Sequence, residues 1–195
     1  MILFFDAETT GLPLWKEPSD DPRQPHLVQL AALLCGDDGT IAEEYSTIID
    51  PGPGVRFEPE AVAAHGLTPE RCAAEGCSPK EALDRFFAMV RRGGLLAGHN
   101  VSFDVRIVRI ASARVYGRKW APDVPTYCTM KSSTGLCRIL HAEPRHDRDW
   151  KWPRLEEAIR HFFGEGLEGA HDALVDVRAC HRIYFHLNPP EKAAA

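Results

Sequence analysis

The sequence predicts a mixed α/β fold in which one β-sheet is covered by α-helices on its faces. Apolar, β-prone runs fill much of the first 49 residues, and from residue 59 the apolar residues recur at helical spacing. One more short apolar run interrupts the helical part. Strands that come first, followed by a helix between later strands, build a sheet with both antiparallel and parallel neighbours.

Four strands are predicted. Apolar runs at residues 2–5 and 27–34 and a β-prone run at 41–49 form a three-stranded meander, with the turn GDDG at 36–39 between the last two. A fourth run, at 95–97, is short and lies between glycines. The meander supplies the antiparallel part of the sheet.

Six helices are predicted from apolar spacing and capping signals. They cover residues 59–64, 69–75, 78–90, 101–116, 155–163 and 173–187. Ser78 is the N-cap of the third helix, and Glu81 completes a capping box. The apolar stripe of that helix is Ala82, Phe86, Met89 and Val90, and the stripe of the fourth is Val105, Val108, Ala111 and Val115.

Length and composition indicate one domain. With 195 residues and 44% hydrophobic content, the chain can bury a core without disulfides or a structural metal. We expect a single domain over residues 1–188 and a short disordered tail at 189–195. The formal net charge of −5 excludes a protein that coats nucleic acid through bulk positive charge, so any nucleic-acid contact must be local.

The cysteines and the hydropathy pattern indicate a cytoplasmic protein. The six cysteines include no Cys-x-x-Cys pair, which argues against a zinc knuckle or a thioredoxin motif. No run approaches the ~18 apolar residues of a membrane span. The amino terminus enters a strand without a basic region or cleavage site. We therefore expect reduced thiols and no membrane contact.

Two acids, Asp6 and Glu8, stand at the end of the first predicted strand. If the strand continues to Glu8, side chains at i and i+2 point to the same side and the two carboxylates face one spot. Like charges that close are unfavourable unless a hard divalent cation lies between them. Either acid could instead cap the following turn, so a metal site needs ligands from elsewhere in the chain.

A third acid, Asp104, follows the short strand at 95–97, in the first turn of the next helix. The helix dipole favours an acid there by ~0.3–1 kcal/mol, which is a purely structural explanation. Its place beyond a strand end favours a functional role, because active sites in open α/β sheets lie there.

A third cluster contains His171 and Asp176 beside a helix start. Their spacing does not place both on one helical face, so we expect His171 in the loop, Asp172 as N-cap and Asp176 on the first turns. Asp172 and Asp176 would repel each other by roughly 0.2–0.5 kcal/mol on an exposed helix face. A cation near Asp176 would relieve that repulsion.

Three segments resemble, in order and separation, the motifs of the DnaQ-like 3′-5′ exonucleases of the DEDDh type. They are FDAETTGL at 5–12, GHNVSFD at 98–104 and HDALVD at 171–176. That family includes the proofreading subunit of bacterial replicative polymerases and several RNases. The resemblance extends from residue 2 to about 184, includes AHGLT at 64–68, and implies a ribonuclease-H-like mixed sheet flanked by helices.

The resemblance implies four metal ligands and one general base. The ligands are Asp6, Glu8, Asp104 and Asp176, and the base is His171. Two Mg²⁺ or Mn²⁺ ions roughly 3.5–4 Å apart can activate water, neutralise phosphoryl oxygens and assist the leaving 3′-oxygen. Four carboxylates match the charge of two such ions, and the family uses its first acid, here Asp6, as the bridge. Imidazole can take the proton of the attacking water.

The resemblance also implies contacts to the terminal nucleotide. The candidates are Thr9, Thr10, Leu12, His65, Asn100 and Phe103. Backbone amides at Thr9 and Thr10 would hold the nucleotide. Leu12 or Phe103 would stack or wedge against a base. Two alternatives remain open: Leu12 and Phe103 could be core residues, and His65 could hold a backbone carbonyl.

Two basic regions are candidate contacts to a nucleic-acid strand. The arginines after Asp104 are Arg106, Arg109, Arg114 and Arg118. Helical spacing separates Arg106 and Arg109 from the apolar stripe, so we expect them in solvent. The segment RHDRDWKWPR at 145–154 is a candidate strand-guiding loop, with Trp150 or Trp152 as a stacking surface. The favoured alternative is a tryptophan that packs this loop onto the domain.

The leading hypothesis is a metal-dependent 3′-5′ exonuclease that releases nucleoside 5′-monophosphates from single-stranded DNA, in proofreading or repair. The same machinery acting on RNA ends or short oligoribonucleotides is the alternative, since one sequence does not reveal contacts to a 2′-OH. The third hypothesis is a catalytically silent module that binds nucleic acid or a polymerase. Because the sequence continues only briefly past the last helix, we expect a free-standing monomer or homodimer more than an obligate polymerase subunit.

Overall fold

A five-stranded sheet forms the centre of the computed structural model, which describes residues 1–190. Its strands are β1 (Ile2–Thr9), β2 (Leu27–Cys35), β3 (Ile41–Ile48), β4 (Leu95–Gly98) and β5 (Thr126–Cys128). They lie in the order β3-β2-β1-β4-β5; β1 and β3 are antiparallel to β2, while β4 runs parallel to both β1 and β5. The predicted mixed sheet is confirmed. Of the predicted tail, 191–195 lies outside the described residues.

Strand β1 is longer than the predicted 2–5. It continues to Thr9 because β2 runs beside it, pairing Asp6 with Ala31 and Glu8 with Gln29. The register shifts only between Glu8 and Thr9. Both acids therefore lie within regular strand, and the condition for their facing one side is met.

Helices cover both faces of the sheet. In the described residues they are α1 (Pro59–His65), α2 (Pro69–Glu75), α3 (Pro79–Val90), α4 (Val101–Tyr116), α5 (Thr129–Cys137), α6 (Leu155–Phe163) and α7 (Ala173–Leu187). Leu3, Phe5 and Ala7 of β1 pack in one core with α3 and α4. Ile2 and Phe4 pack in a second core with α7. The alternation of β1 thus separates the two helical layers.

Several predicted helix bounds are confirmed: those of α2, α4, α6 and α7 agree residue for residue. The N-cap of α3 is also as predicted, since Ser78 Oγ accepts a hydrogen bond from the Glu81 N–H at 3.2 Å. The stripe predicted for α4 is offset. Val108 and Ala111 are buried, whereas Val105 and Val115 are only partly buried, because the helix also buries its neighbouring isoleucine face.

The prediction missed β5 and α5. Strand β5 has only three residues and pairs with β4 alone. In α5, hydroxyl groups bond back to the preceding turn: Ser133 Oγ donates to Thr129 O at 2.6 Å, and Thr134 Oγ1 donates to Met130 O at 2.9 Å. Serine, threonine and glycine in that segment give no clear helical pattern, because such residues favour other backbone conformations.

The edge strand β3 is tied to helices on both faces of the sheet. Glu43 forms ion pairs with Arg85 of α3 and with Arg92, which follows α3. Glu44 points to the other face and pairs with Arg178 of α7. Adjacent residues of one strand therefore bind opposite helical layers.

All six cysteines are free thiols, as predicted. None of the helices within residues 1–190 is both long and apolar enough to cross a lipid bilayer.

Gly76, at the end of α2, has no room for a side chain. A Cβ there would lie 2.4 Å from Asp50 N and 2.4 Å from Cys72 O, both of them backbone atoms. Gly76→Ala should therefore lower the free energy of unfolding by about 1–3 kcal/mol, measured by urea denaturation. Gly166→Ala is the control, because an added Cβ meets nothing within 4 Å. Equal losses in both variants would contradict this explanation.

Candidate active site

Asp6 and Glu8 lie on the face of the sheet that α7 covers. They continue the row of β1 side chains begun by Ile2 and Phe4, which pack against α7. Both acids are partly buried. The two carboxylates thus point to the same side of the sheet, toward the helix that carries Asp176.

Asp104 joins them from the first turn of α4. Asn100, in the left-handed region with φ 72°, turns the chain from β4 into that helix. Asp104 Oδ1 accepts a hydrogen bond of 3.1 Å from the N–H of Ala7, which stands between Asp6 and Glu8. The side chain of Asp104 is only 2% exposed. The helix dipole alone does not explain why Asp104 is buried against β1.

The start of α7 brings in His171 and Asp176. Asp172 caps the helix, since its Oδ1 accepts from the N–H groups of Leu174 at 3.0 Å and Val175 at 3.3 Å. His171 lies in the preceding loop with φ 67°, and its N–H donates to Asp176 Oδ2 at 3.2 Å. The predicted placement of the loop histidine, the cap and the helical acid is confirmed.

Gln29 is a residue of this site that the sequence analysis missed. Its Nε2 donates to Asp172 Oδ2 at 3.3 Å, and its Oε1 accepts from the Ala173 N–H at 3.2 Å. It pairs with Glu8 across the two strands. The amide therefore fixes the N-terminus of α7 to the sheet beside Glu8. The available signal was one polar residue inside an otherwise apolar buried strand.

Glu8, His171 and Asp176 converge on one point. One possible ligand atom from each lies within 4.8 Å of the other two. Asp176 Oδ1 is buried and has no hydrogen-bond partner within residues 1–190. Because a buried carboxylate oxygen without a partner is unfavourable, a cation suits this position.

The two innermost acids resist ionisation. Burial raises the pKa of Asp6 well above its ordinary value, and the charges of Asp104 and Glu8 raise it further. The pKa of Asp104 is also raised, first by burial and then by Glu8, although the hydrogen bond from Ala7 opposes the shift. Desolvation and like charge act in the same direction on both carboxylates.

The two outer acids show the same trend. Burial, followed by the charges of Asp176 and Asp172, raises the pKa of Glu8 to about 8. Burial raises the pKa of Asp176 to about 6 against the hydrogen bond from His171. A nearby divalent cation reverses this balance, because it favours the charged form of each carboxylate. The chemistry of this donor set fits hard cations with oxygen ligands.

A groove of about 950 Å³ opens beside Glu8. Glu8 lines it together with five predicted substrate residues: Thr9, Thr10, Leu12, His65 and Phe103. Asn100 is not among its lining residues; its Oδ1 accepts a hydrogen bond of 3.2 Å from Ser102 Oγ. The volume lies near the upper end of the roughly 300–1,000 Å³ typical of small-molecule sites.

The family model for exonucleases of the RNase T type matches residues 3–184. The chain belongs to this exonuclease family. The resemblance to the DnaQ-like exonucleases is thereby confirmed. The match includes all three motif segments together with the strands and helices that position them.

Relatives of this exonuclease domain carry names that refer to both DNA and RNA. The PolC-type DNA polymerase III of Thermotoga petrophila is 29% identical over 132 residues, which cover 67% of this chain and 9% of that protein. Ribonuclease T of Shewanella denitrificans is 29% identical over 121 residues, which cover 56% of this chain and 50% of that protein. The chain thus spans at most about half the length of these relatives.

The fold of this exonuclease domain also matches a solved structure. Exonuclease I of E. coli, in complex with a dT13 oligonucleotide, superimposes with a TM-score of 0.74 at 21% identity. The match covers 97% of this chain and 41% of that one. The predicted ribonuclease-H-like fold is confirmed.

The predicted role of the Thr10 amide is wrong. The Thr10 N–H donates to His26 O at 2.9 Å, and Thr10 Oγ1 accepts from the His26 N–H at 2.9 Å. This reciprocal pair closes the end of β1 against the residue before β2. The Thr9 hydroxyl donates to Gly11 O at 2.6 Å. Thr9 and Thr10 are buried, and their side chains fix the backbone where it borders the groove.

His65 holds a backbone carbonyl, the alternative that the sequence left open. Its Nδ1 accepts from the Leu67 N–H at 3.0 Å, so a neutral ring carries its proton on Nε2 and donates it to Thr9 O at 3.1 Å. Burial lowers the pKa of His65 and favours this neutral form. The imidazole therefore braces the end of β1 where it borders the groove.

Leu12 and Phe103 differ in exposure. Leu12 is 81% exposed and lines the groove, so the core alternative is wrong for this residue. Phe103 is partly buried, packs against the core shared with α3 and α4, and also lines the groove. Both side chains can therefore be reached from the groove.

Arg106 and Arg109, which were expected in solvent, bind backbone carbonyls instead, and Arg114 does the same. Arg106 and Arg114 reach the loop at 13–25, and Arg109 Nε donates to Trp120 O at 2.9 Å. The expectation failed because these acceptors belong to loops that helical spacing alone cannot place beside α4.

In the 145–154 segment, the two tryptophans have different environments. Trp150 forms an isolated antiparallel bridge with Leu140, and the Arg138 guanidinium lies 5.5 Å from its ring centroid. Trp150 therefore packs this loop onto the domain, which is the favoured alternative. Trp152 is 62% exposed, and a strand-guiding role for it stays a prediction.

The raised pKa values predict how stability depends on pH without metal. Between pH of about 7 and 8, the folded chain retains a proton on Glu8 that the unfolded chain has released, so raising the pH favours unfolding. This destabilisation is absent below the unfolded pKa and grows as the pH rises toward about 8. In chelator, Tm should therefore fall across this interval.

Glu8→Gln is the matched variant, since it removes the titrating group and should flatten the fall in Tm measured by calorimetry. Added Mg²⁺ should raise Tm of the parent protein more at the upper pH, because bound carboxylates must be deprotonated. A parent Tm that rises over this interval, or that changes as it does in Glu8→Gln, would contradict the prediction.

Proposed function

We propose that the chain is a metal-dependent 3′-5′ exonuclease that hydrolyses phosphodiester bonds and releases nucleoside 5′-monophosphates from 3′ ends. The observation that supports this most is the meeting of β1, α4 and α7 at one cluster of carboxylates beside a large groove. The membership of the exonuclease family is consistent with the same reaction.

Asp6, Glu8, Asp104 and Asp176 are proposed as the ligands of two divalent cations, Mg²⁺ or Mn²⁺. Their four negative charges match two such ions, and the buried Oδ1 of Asp176, which has no hydrogen-bond partner within residues 1–190, suits a cation. When bound, the ions supply charge neutralisation for the phosphate and a more acidic water. The sheet and both helix starts hold the carboxylates in place before any substrate binds.

His171 is proposed as the general base that takes the proton from the attacking water. Its ring lies within 4.8 Å of the carboxylate oxygens of Glu8 and Asp176, so a water held by those acids would be within its reach. The same position would allow His171 to act as a ligand. We favour the base because four carboxylates already balance the charge of two divalent ions.

The groove is proposed to hold the 3′-terminal nucleotide. Leu12 and Phe103 are accessible apolar surfaces against which a base can stack. Thr9 and His65 shape the groove next to Glu8. Asn100 would act by setting the turn that delivers Asp104, since it lies outside the groove lining.

Single-stranded DNA is the proposed substrate. The proposed role of the enzyme is proofreading or repair. The solved Exonuclease I that shares this fold was crystallised with a dT13 oligonucleotide. A further relative, a DNA polymerase III subunit epsilon-like protein of Rhodobacter capsulatus, is 28% identical over 195 residues, 98% of this chain and 24% of its own length. A DNA polymerase is therefore a candidate partner. The exonuclease itself is proposed to be a monomer or a homodimer. Its proposed location is the cytoplasm, where the six thiols would stay reduced.

RNA ends are the second candidate substrate. The observation in their favour is that Ribonuclease T of Shewanella denitrificans is 29% identical to this chain over 121 residues, and the PolC-type polymerase of Thermotoga petrophila is 29% identical over 132. A silent binding module is disfavoured, since all five residues expected for catalysis are present in this sequence.

The deciding experiment uses purified protein with 5′-labelled single-stranded DNA and RNA of matched sequence. Each is incubated with Mg²⁺, Mn²⁺ or EDTA, and the products are resolved by length. A metal-dependent ladder that shortens from the 3′ end supports the proposal, and the faster ladder identifies the preferred substrate. Binding of both strands without cleavage in any metal would favour the silent module instead.

Substitutions in the carboxylate cluster should separate catalysis from folding. Asp6→Ala and Asp176→Asn should abolish turnover while circular dichroism and Tm show a folded chain, and His171→Ala should lower the rate by roughly 10²–10⁴-fold. Asp84→Asn is the control, because this exposed acid lies on α3, beyond the opposite face of the sheet. Full activity in any of the three cluster variants would place the site elsewhere.

A further inference from the structure

The chain between β1 and β2 forms a folded loop, residues 13–25, which we call the wall segment. Gln24 closes it from within: Oε1 accepts from the Leu14 N–H at 3.0 Å, and Nε2 donates to Leu14 O and Pro18 O, both at 3.0 Å. Gln24 is 2% exposed. A buried amide with both ends bonded holds the two limbs of the segment together.

Arg106 of α4 anchors the middle of the wall segment. Its Nη1 donates to Ser19 Oγ at 2.8 Å, and its Nη2 donates to Glu17 O at 2.5 Å and to Leu14 O at 3.2 Å. Arg106 stands two residues after Asp104. One helix therefore carries a carboxylate of the candidate active site and also holds this loop.

Arg114 provides a second anchor two turns further along α4. Its Nη1 donates to Pro25 O at 3.0 Å, and its Nη2 donates to Gln24 O at 2.9 Å. The wall segment is thus bonded to α4 at its middle and at its end. A loop fixed at two points in this way is a preformed surface.

One nitrogen of Arg106 lies buried without a hydrogen bond. Its Nε finds no acceptor within residues 1–190, and an unsatisfied buried donor is unfavourable. The planar fork of a guanidinium presents two further nitrogens in fixed directions, which a lysine ammonium does not. The bonds to the wall segment offset the unfavourable burial of Nε.

The wall segment borders the groove that begins at Glu8. Leu14, Pro22, Arg23, Gln24 and Pro25 all line that groove. Leu14 is 38% exposed; its neighbour Trp15 is 58% exposed but is not among the groove-lining residues. Glu8 and these wall residues line the same groove, so a strand whose terminal nucleotide lies at Glu8 can run along the wall. Apolar side chains beside such a strand suit its unpaired bases.

We propose that the wall segment binds the nucleotides upstream of the 3′-terminal one, and that Arg106 positions the middle of the segment for this contact. This rests on the proposed exonuclease function, because it takes the terminal nucleotide to lie at Glu8. The occupant is a single-stranded nucleic acid whose bases contact the wall. Arg106 acts through the loop and touches no reacting atom.

Arg106→Gln is the test variant, and Arg109→Gln is its matched control. Both arginines lie on α4 and bind loop carbonyls, but the Arg109 acceptor, Trp120 O, is outside the groove lining. Fluorescence anisotropy in EDTA with 5′-fluorescein-labelled dT8 gives the oligonucleotide affinity, and displacement of this probe by dTMP gives the mononucleotide affinity. Both measurements are independent of catalysis.

Arg106→Gln should weaken dT8 binding by about tenfold and dTMP binding by less than about twofold. Arg109→Gln should leave both affinities unchanged. Wherever turnover is measurable, KM for dT8 should rise about tenfold with kcat retained to within about twofold. Equal losses for dT8 and dTMP, or equal effects in both arginine variants, would overturn the proposal.

These outcomes are distinct from failure of the exonuclease proposal. If the parent protein binds dT8 but cuts no strand in any metal, the exonuclease proposal is wrong, while the changes in dT8 and dTMP affinity still decide the role of Arg106. If the parent protein cuts dT8 and Arg106→Gln leaves the dT8 affinity unchanged, only the proposal for the wall segment is wrong.

Discussion

Mutual repulsion of four carboxylates in a poorly solvated place is the constraint on which the rest of the structure depends. Burial and like charge raise the pKa values of Asp6, Glu8, Asp104 and Asp176 together. Such a cluster does not assemble by itself; three elements from distant parts of the chain must hold it. The two cores that fix α4 and α7 against β1 oppose that repulsion. Stability and activity therefore make opposite demands on the same residues.

Neutral backbone and amide groups do much of the positioning. The Ala7 N–H holds Asp104, the His171 N–H holds Asp176, and Gln29 fixes the N-terminus of α7 to β2. Lysine or arginine in these places would neutralise the acids and compete with a metal ion. Dipolar donors orient a carboxylate oxygen without removing its charge, which leaves the negative potential available for cations.

Local patterns in the sequence were sufficient for much of the fold. Apolar periodicity and caps set the bounds of α4, α6 and α7, and the spacing of Asp6 and Glu8 placed both acids on one face of β1. What failed was non-local. Arg106 looked like a solvent residue on its own helix, because its carbonyl partners lie some 90 residues earlier. The motif around Thr10 does not reveal that its amide bonds to the carbonyl of His26, because that acceptor lies 16 residues later in the chain.

The ion pairs of β3 have a consequence for how the molecule behaves at high concentration. An unprotected outer strand offers free N–H and C=O groups to a neighbouring chain and can seed aggregates. Here Glu43 and Glu44 clasp helices on opposite faces, so the strand is pinned on both sides and carries charge along its rim. Charged side chains on an edge strand disfavour the addition of a strand from a neighbouring chain. The border of the sheet farthest from β5 is in this way protected against edge-to-edge association.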